Sequence, residues 1–315
     1  MPGRDWLTEA GLPAGETHRM DLLLDFIIVG LSIGIVYGLV ALGISLIFSG
    51  LDIVHFAHGE VYMIGAFLGI AIVSISGVPY FGALVGAMIV TGVVGVVIER
   101  VFYRRLTRGG GGYTVAGMGM IICGFGMSVA LQNVAYLIWG AAPHPYPVSF
   151  GMPIFLGNIA LPKSYLYILV SALILMAVLH TFLTRTKLGL AVRAVAYNKD
   201  TSYLMGVNVP VMISLIFGVA CAMAAVAGVL IGPINYVQIE MGYLMLLKAF
   251  AAAVVGGFGS LPGALLGGVI VGLFETLCAG YLIASYKDIY AFLLLIVVLM
   301  VRPTGLLGII VKVKA

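Results

Sequence analysis

Charge is what this chain has least of. Asp, Glu, Lys and Arg together make up 9% of its 315 residues, against 62% hydrophobic residues and a mean hydropathy of +1.18. An ordinary soluble domain carries about 25% charged and about 45–50% apolar residues. There are too few polar side chains to clothe a water-facing globule. A soluble enzyme, a nucleic-acid-binding domain and a disordered chain are excluded together. Cysteine is also sparse. Cys123, Cys221 and Cys278 lie in apolar stretches with no Cys-x-x-Cys pair and no Cys/His cluster. They read as small buried hydrophobes, so no disulfide framework or metal site is implied. The chain has no phosphate-binding Gly-x-x-x-x-Gly-Lys-Ser/Thr, no His-Glu-x-x-His and no Gly-x-Ser-x-Gly. No nucleophile stands beside a base, so an enzyme is not expected and no cofactor is implied. Ten-residue segments of alternating polarity are missing too, which excludes a membrane β-barrel.

What remains is a set of long uncharged runs. A bilayer core about 30 Å thick takes roughly 20 apolar residues per helix. The run between Asp25 and Asp52 holds 26 residues and fits one helix at about 26–48. The 38 residues between Glu60 and Glu99 are too many for one helix and break at the Ser74–Tyr80 turn, giving 60–76 and 80–98. The 54 between Arg108 and Lys163 give a span near 114–138. A loop at 140–163 follows, carrying Pro143, Pro145, Pro147, Pro153 and Pro162, because proline cannot continue a helix. Further spans are expected near 164–183, 211–232, 243–256, 262–283 and 288–301. The fold class is an all-α polytopic membrane protein with nine spans, or eight if one short segment is re-entrant. Residues 1–19 read as a polar amino-terminal extension, 20–308 as the transmembrane domain and 309–315 as a cytoplasmic tail.

Basic residues orient the spans. Of the 16 Lys and Arg, 11 fall at 100–108, 185–199 and 302–314. All three segments are placed on the cytoplasmic side, and the Pro-rich loop faces outside. Two five-residue stretches, Gly65–Gly69 and Gly263–Gly267, hint at two related halves.

Three segments carry the functional signal. The first is Ile53–Phe67, where His55, His58 and Glu60 lead into an apolar span. Glu60 is either a helix N-terminal carboxylate or part of a pathway. The two histidines are either a metal or proton site or a polar lead-in at the interface. The second is Thr184–Asn208, basic and about 25 residues long. Leu190, Ala194, Tyr197 and Leu204 fall mainly on one side of a short helix that Gly206 would stop. It could cover the bilayer surface or dock into a groove of a soluble partner. The third is Gly256–Gly263, irregular by composition. It is either backbone at membrane depth beside a cavity or a tight cytoplasmic turn. Only Glu275, and with it Lys248, stands well inside a span. An ion-coupled secondary transporter would be expected to carry more such charge, so the inventory favours a conduit driven from outside.

In that order the three segments resemble the permease subunits of ATP-driven importers for branched-chain amino acids, and most closely the smaller of that system's two permeases. The resemblance rests on His55–Glu60, on the Gly-x-x-x-Arg-Ala of Gly189, Arg193 and Ala194 ending at Gly206, and on the glycine-rich turn Gly256–Gly263. It runs from about Met20 to Gly308. His55 stands where the family commonly has Asn. The resemblance implies an ABC importer permease fold in the cell (inner or plasma) membrane, with partners that supply what the chain lacks. These are a second homologous permease, two cytoplasmic ATP-binding subunits and an external solute-binding protein that delivers an amino acid. It implies coupling to the ATPases through Gly189, Arg193, Ala194, Asn198, Asp200 and Gly206. His58, Glu60, Gly257 and Ser260 are expected near the translocation pathway. Related permeases carry urea or short amides, which is the alternative substrate class.

Overall fold

The computed structural model of the chain describes residues 14–108, 113–148, 150–156 and 159–308. The helices are α1 (Ala14–Leu51), α2 (His58–Ser76), α3 (Tyr80–Ile98), α4 (Arg104–Arg108), α5 (Tyr113–Trp139), α6 (Lys163–Arg185), α7 (Lys187–Tyr197), α8 (Lys199–Leu204), α9 (Val209–Ile231), α10 (Met241–Gly256), α11 (Leu261–Tyr281) and α12 (Lys287–Val301). A π-helical turn, Glu99–Tyr103, joins α3 to α4. Among the described residues, 8 helices are long and apolar enough to cross a membrane, and α10 is apolar but shorter. The polytopic all-α architecture expected from the uncharged runs is therefore present. One small addition interrupts it. Inside the Pro-rich loop, β1 (Ile154–Leu156) pairs antiparallel with β2 (Ile159–Leu161), Phe155 facing Ala160. Helix α1 begins at Ala14, so residues 14–19 are helical, while residues 1–13 and 309–315 lie outside the described residues.

The two ends of the bundle are chemically distinct. At one end Lys199 pairs with Asp52 at 2.6 Å, and Arg104 donates to the Pro210 carbonyl at 2.8 Å. Phe48 meets Phe258 edge to face there, and the tail after α12 pairs with the α10–α11 turn. All three basic segments begin at this end, which is the cytoplasmic one by the distribution of Lys and Arg. At the other end His144 bridges Val237, and Tyr80 donates to the Val229 carbonyl.

Lipid offers no hydrophobic force between helices, so close packing of small residues holds them. The two most extensive helix pairs are α1 with α11 and α3 with α9. In the first, Gly34 and Gly38 face Gly268. In the second, Gly92 faces Gly218 and Gly95 faces Cys221. Helix α10 crosses α1 as α2 crosses α9. Exchanging α1, α2 and α3 for α9, α10 and α11 leaves this pattern unchanged. The exchange also reverses direction, since α1 runs toward the basic end and α9 away from it. The two related halves are thus an inverted repeat. The sequence echo belongs to helices other than those first matched. Gly65 lies on α2, the counterpart of α10, whereas Gly263 lies on α11, the counterpart of α3. The equivalent stretches are Gly82–Val90 and Gly263–Val271, identical at six of nine positions.

Candidate functional site

The 184–208 segment is two helices, not one. Thr186 leaves α6 in an extended conformation and caps α7, its hydroxyl accepting from the Gly189 amide at 2.9 Å. Gly189 packs on the Phe182 carbonyl so closely that a Cβ would collide with it. This closes the corner between α6 and α7. Asn198 breaks the path, and its side-chain oxygen accepts from the Thr201 amide at 2.8 Å as the N-cap of α8. Gly206 ends α8 with φ of +82°. Its amide donates to Tyr203 and that of Val207 to Ser202, a Schellman closure that satisfies the last carbonyls. The buried side of α7 is Gly189, Val192 and Val195. The row read from the sequence is the opposite one. Leu190, Tyr197 and Leu204 are exposed, Tyr197 at 93%. Ala194 is half-buried, and Arg193 and Asp200 are exposed. Tyr203 and Met205 extend the row. An exposed apolar ridge of this size is uncommon on a surface that only faces water.

His58 and Glu60 sit in the first turn of α2. The connector 52–57 turns inward, so α2 starts at mid-depth, where the His58 ring lies against Gly43 of α1. Its fold-related partner, the 232–240 connector, does the same for α10 from the other side. The first turns of α2 and α10 cross at Gly59 and Gly242, each too close to the other's backbone for a Cβ. Beside this crossing, Glu60 accepts from Ser128 of α5 at 3.2 Å through one oxygen, while the other is buried without a partner among the described residues. His55 Nδ1 lies 2.7 Å from the Tyr103 hydroxyl, its ring against Phe217. Among the described residues no three His, Cys, Asp or Glu side chains group as metal ligands.

Gly257 and Ser260 lie elsewhere. The α10–α11 segment is a tight turn at the basic end, not backbone at membrane depth. Gly257 has φ of +110° and packs on Gly308, and Ser260 caps α11 by accepting from the Gly263 amide at 3.2 Å. The tail fastens the turn, Leu306 donating to Val255 and Leu307 to Gly256 at 2.9 and 2.8 Å. The structure thus brings His58 and Glu60 together at mid-depth and Gly257 and Ser260 together at the turn, but not the two pairs with each other.

Lys248 and Glu275 are more than isolated charges. Lys248 of α10 donates to fully buried Glu275 of α11 at 2.8 Å and contacts Asp288 of α12 at 2.6 Å. Tyr37 of α1 donates to the same Glu275 oxygen at 3.2 Å. Lys287 closes the group, 3.5 Å from Glu275. Four helices meet here. Sequence spacing gave no sign of the pairing, because the partners are brought together only by helix packing.

The family model described as the branched-chain amino acid transport system / permease component matches residues 26–299. The high-affinity branched-chain amino acid transport system permease protein LivH of Salmonella typhimurium is 35% identical over 89% of this chain and 93% of its own length. The corresponding BraD protein of Pseudomonas aeruginosa is 37% identical over 89% of this chain and 94% of its own. Among solved structures, PsaBC from Streptococcus pneumoniae in complex with Fab aligns with a TM-score of 0.48 at 15% identity, covering 90% of this chain and 92% of that one.

Proposed function

This chain belongs to the permease family of branched-chain amino acid transport systems, and from that premise we propose that it forms one half of the membrane path of an ATP-driven importer for leucine, isoleucine and valine. A second, homologous permease supplies the other half. Two cytoplasmic ATP-binding subunits hydrolyse ATP, and an external solute-binding protein delivers the amino acid. The chain itself is a transport subunit with no reaction chemistry. Its membrane is the cell's inner or plasma membrane.

The observation that carries the coupling role is the exposed ridge on α7 and α8 at the basic end. Gly189 fixes the corner that aims α7. Arg193, Ala194 and Asp200 present contact groups. Asn198 and Gly206 set where α8 starts and stops, so the ridge moves as one body when an ATPase moves. In the path, His58 and Glu60 serve at mid-depth and Gly257 and Ser260 at the cytoplasmic mouth.

The experiment is uptake into vesicles that hold the complete complex. The unaltered complex is expected to take up radiolabelled leucine on addition of ATP and loaded binding protein. Arg193→Glu reverses the charge on the ridge. It is expected to abolish uptake while membrane insertion stays normal. Normal uptake by this variant would sink the coupling role. Uptake of urea or short amides in place of leucine would overturn the substrate.

A further inference from the structure

A cavity of about 450 Å³ opens toward the outer end between α1, α10, the 232–240 connector and the start of α12. None of the residues assigned above to coupling or to the path lines it. Its walls are of two kinds. One is aliphatic and mostly β-branched: Val29, Ile33, Ile231 and Ile234. The other is polar and includes Lys248 and Lys287. Small-molecule sites have this make-up, an apolar bed with a few convergent polar groups.

The polar wall has capacity to spare. Lys287 is 40% exposed and its nearest acid is 3.5 Å away. Asn235, Gln238 and Tyr62 line the cavity as well, and their side chains form no hydrogen bonds to other described residues. Tyr62 is nonetheless only 1% exposed. A buried hydroxyl facing an open cavity is a group awaiting a partner. The charges also restrict the ligand. Lys248 and Lys287 balance Glu275 and Asp288. A bare cation or anion would leave net charge beside fully buried Glu275, whereas a zwitterion would not.

We infer that this cavity binds the free amino acid as a zwitterion on its way into the path, with the carboxylate on Lys287 and the branched side chain on Ile231 and Ile234. The ammonium group meets the amide oxygens of Asn235 and Gln238. This inference rests on the importer reading above and adds a substrate-binding site within the permease.

The test uses nanodiscs that hold this chain with its partner permease and ATPases, without binding protein. Radiolabelled leucine is expected to bind saturably. Leucinol, which lacks the carboxylate, is expected to compete about tenfold more weakly, because a charge-assisted hydrogen bond is lost. Ile234→Trp fills the cavity. It is expected to remove leucine binding and to lower uptake by about tenfold or more, while loaded binding protein still stimulates ATP hydrolysis. If that variant does not insert, the double variant Asn235→Leu, Gln238→Leu decides instead, raising the KM of uptake with kcat unchanged. Unaltered binding and uptake in the filled or double variant would overturn the inference. So would leucinol binding as tightly as leucine, which would mark an apolar hole that ignores the headgroup. No leucine uptake by the unaltered complex overturns the importer reading itself. Leucine uptake with no effect of the cavity variants overturns only this site.

Discussion

Each half of the repeat buries one carboxylate near the far end of its third helix. In the first half this is Glu99, directly after α3, and in the second it is Glu275 on α11. Each takes a hydroxyl from the facing helix of the other half, Ser214 of α9 for Glu99 and Tyr37 of α1 for Glu275. The cations differ. Arg104 lies in the same chain segment as Glu99 and makes two hydrogen bonds to it, at 3.1 and 3.0 Å. An α-helix would turn a residue five places on well around its axis. The wider π turn between them brings Arg104 back over Glu99. Lys248 comes instead from another helix, and it is shared between Glu275 and Asp288. The first carboxylate is thus closed by local geometry at the water edge. The second is closed only when α1, α10, α11 and α12 are in place, beside an open cavity. One is a brace and the other a joint.

Removing the distant cation breaks that comparison most sharply. Lys248→Met leaves buried Glu275 with only the longer contact to half-exposed Lys287 at 3.5 Å, which costs up to about 3–5 kcal/mol. Unfolding followed in detergent should show it. Adding Glu275→Gln should restore a large part of the loss, since the stranded charge is gone. A double variant no more stable than the single one would mean that Lys248 acts through packing alone.

The contrast between the two carboxylates also marks where sequence reasoning stops. The uncharged runs placed the spans within a few residues. The turn Ser74–Tyr80 ended α2, while α5 ended at Gly140, whose φ is +78°, just ahead of the first proline. Such signals are local, because lipid demands continuous apolar helix and punishes any break. The 184–208 segment was legible as helix stopped by Gly206, and Asn198 carried a cap signal that splits it in two. The Lys248–Glu275 pair was not, since which helices touch is set by packing across the repeat. The repeat itself was written in Gly82–Val90 and Gly263–Val271, but the shorter match at Gly65 pointed to the wrong helix. His58 and Glu60 were expected beside the same path as Gly257 and Ser260, but the two pairs lie at different depths. Depth in the membrane, which separates them, is not encoded in polarity.

Breaking the local pair should cost less. Arg104→Gln keeps a hydrogen-bonding side chain at the water edge, where Arg104 is 19% exposed. A loss of about 2 kcal/mol is expected, the scale of a hydrogen bond to a charged group. The same unfolding measurement compares it with Lys248→Met. A larger loss for Arg104→Gln would reverse the distinction between brace and joint.

The smallest effect sharpens the comparison further, because it removes the one feature the two sites share. Ser214→Ala and Tyr37→Phe each delete a single hydroxyl from the facing helix. Interhelical hydrogen bonds in membranes are worth about 0.6 kcal/mol on average, since the unfolded helices find other partners. Each variant should therefore lose well under about 2 kcal/mol. The two should still differ in kind. Glu99 keeps both bonds from Arg104 when Ser214 is gone, so its site should hold its shape. Among the described residues nothing else on α1 donates to Glu275, and the Tyr37 hydroxyl also accepts a bond from Lys248 at 3.2 Å. Without it, α1 loses its polar tie to α10 and α11. Tyr37→Phe should then raise hydrogen exchange at the outer ends of α10 and α11, while Ser214→Ala leaves α3 and α9 unchanged. Equal exchange in the two variants would mean that the joint is as rigid as the brace.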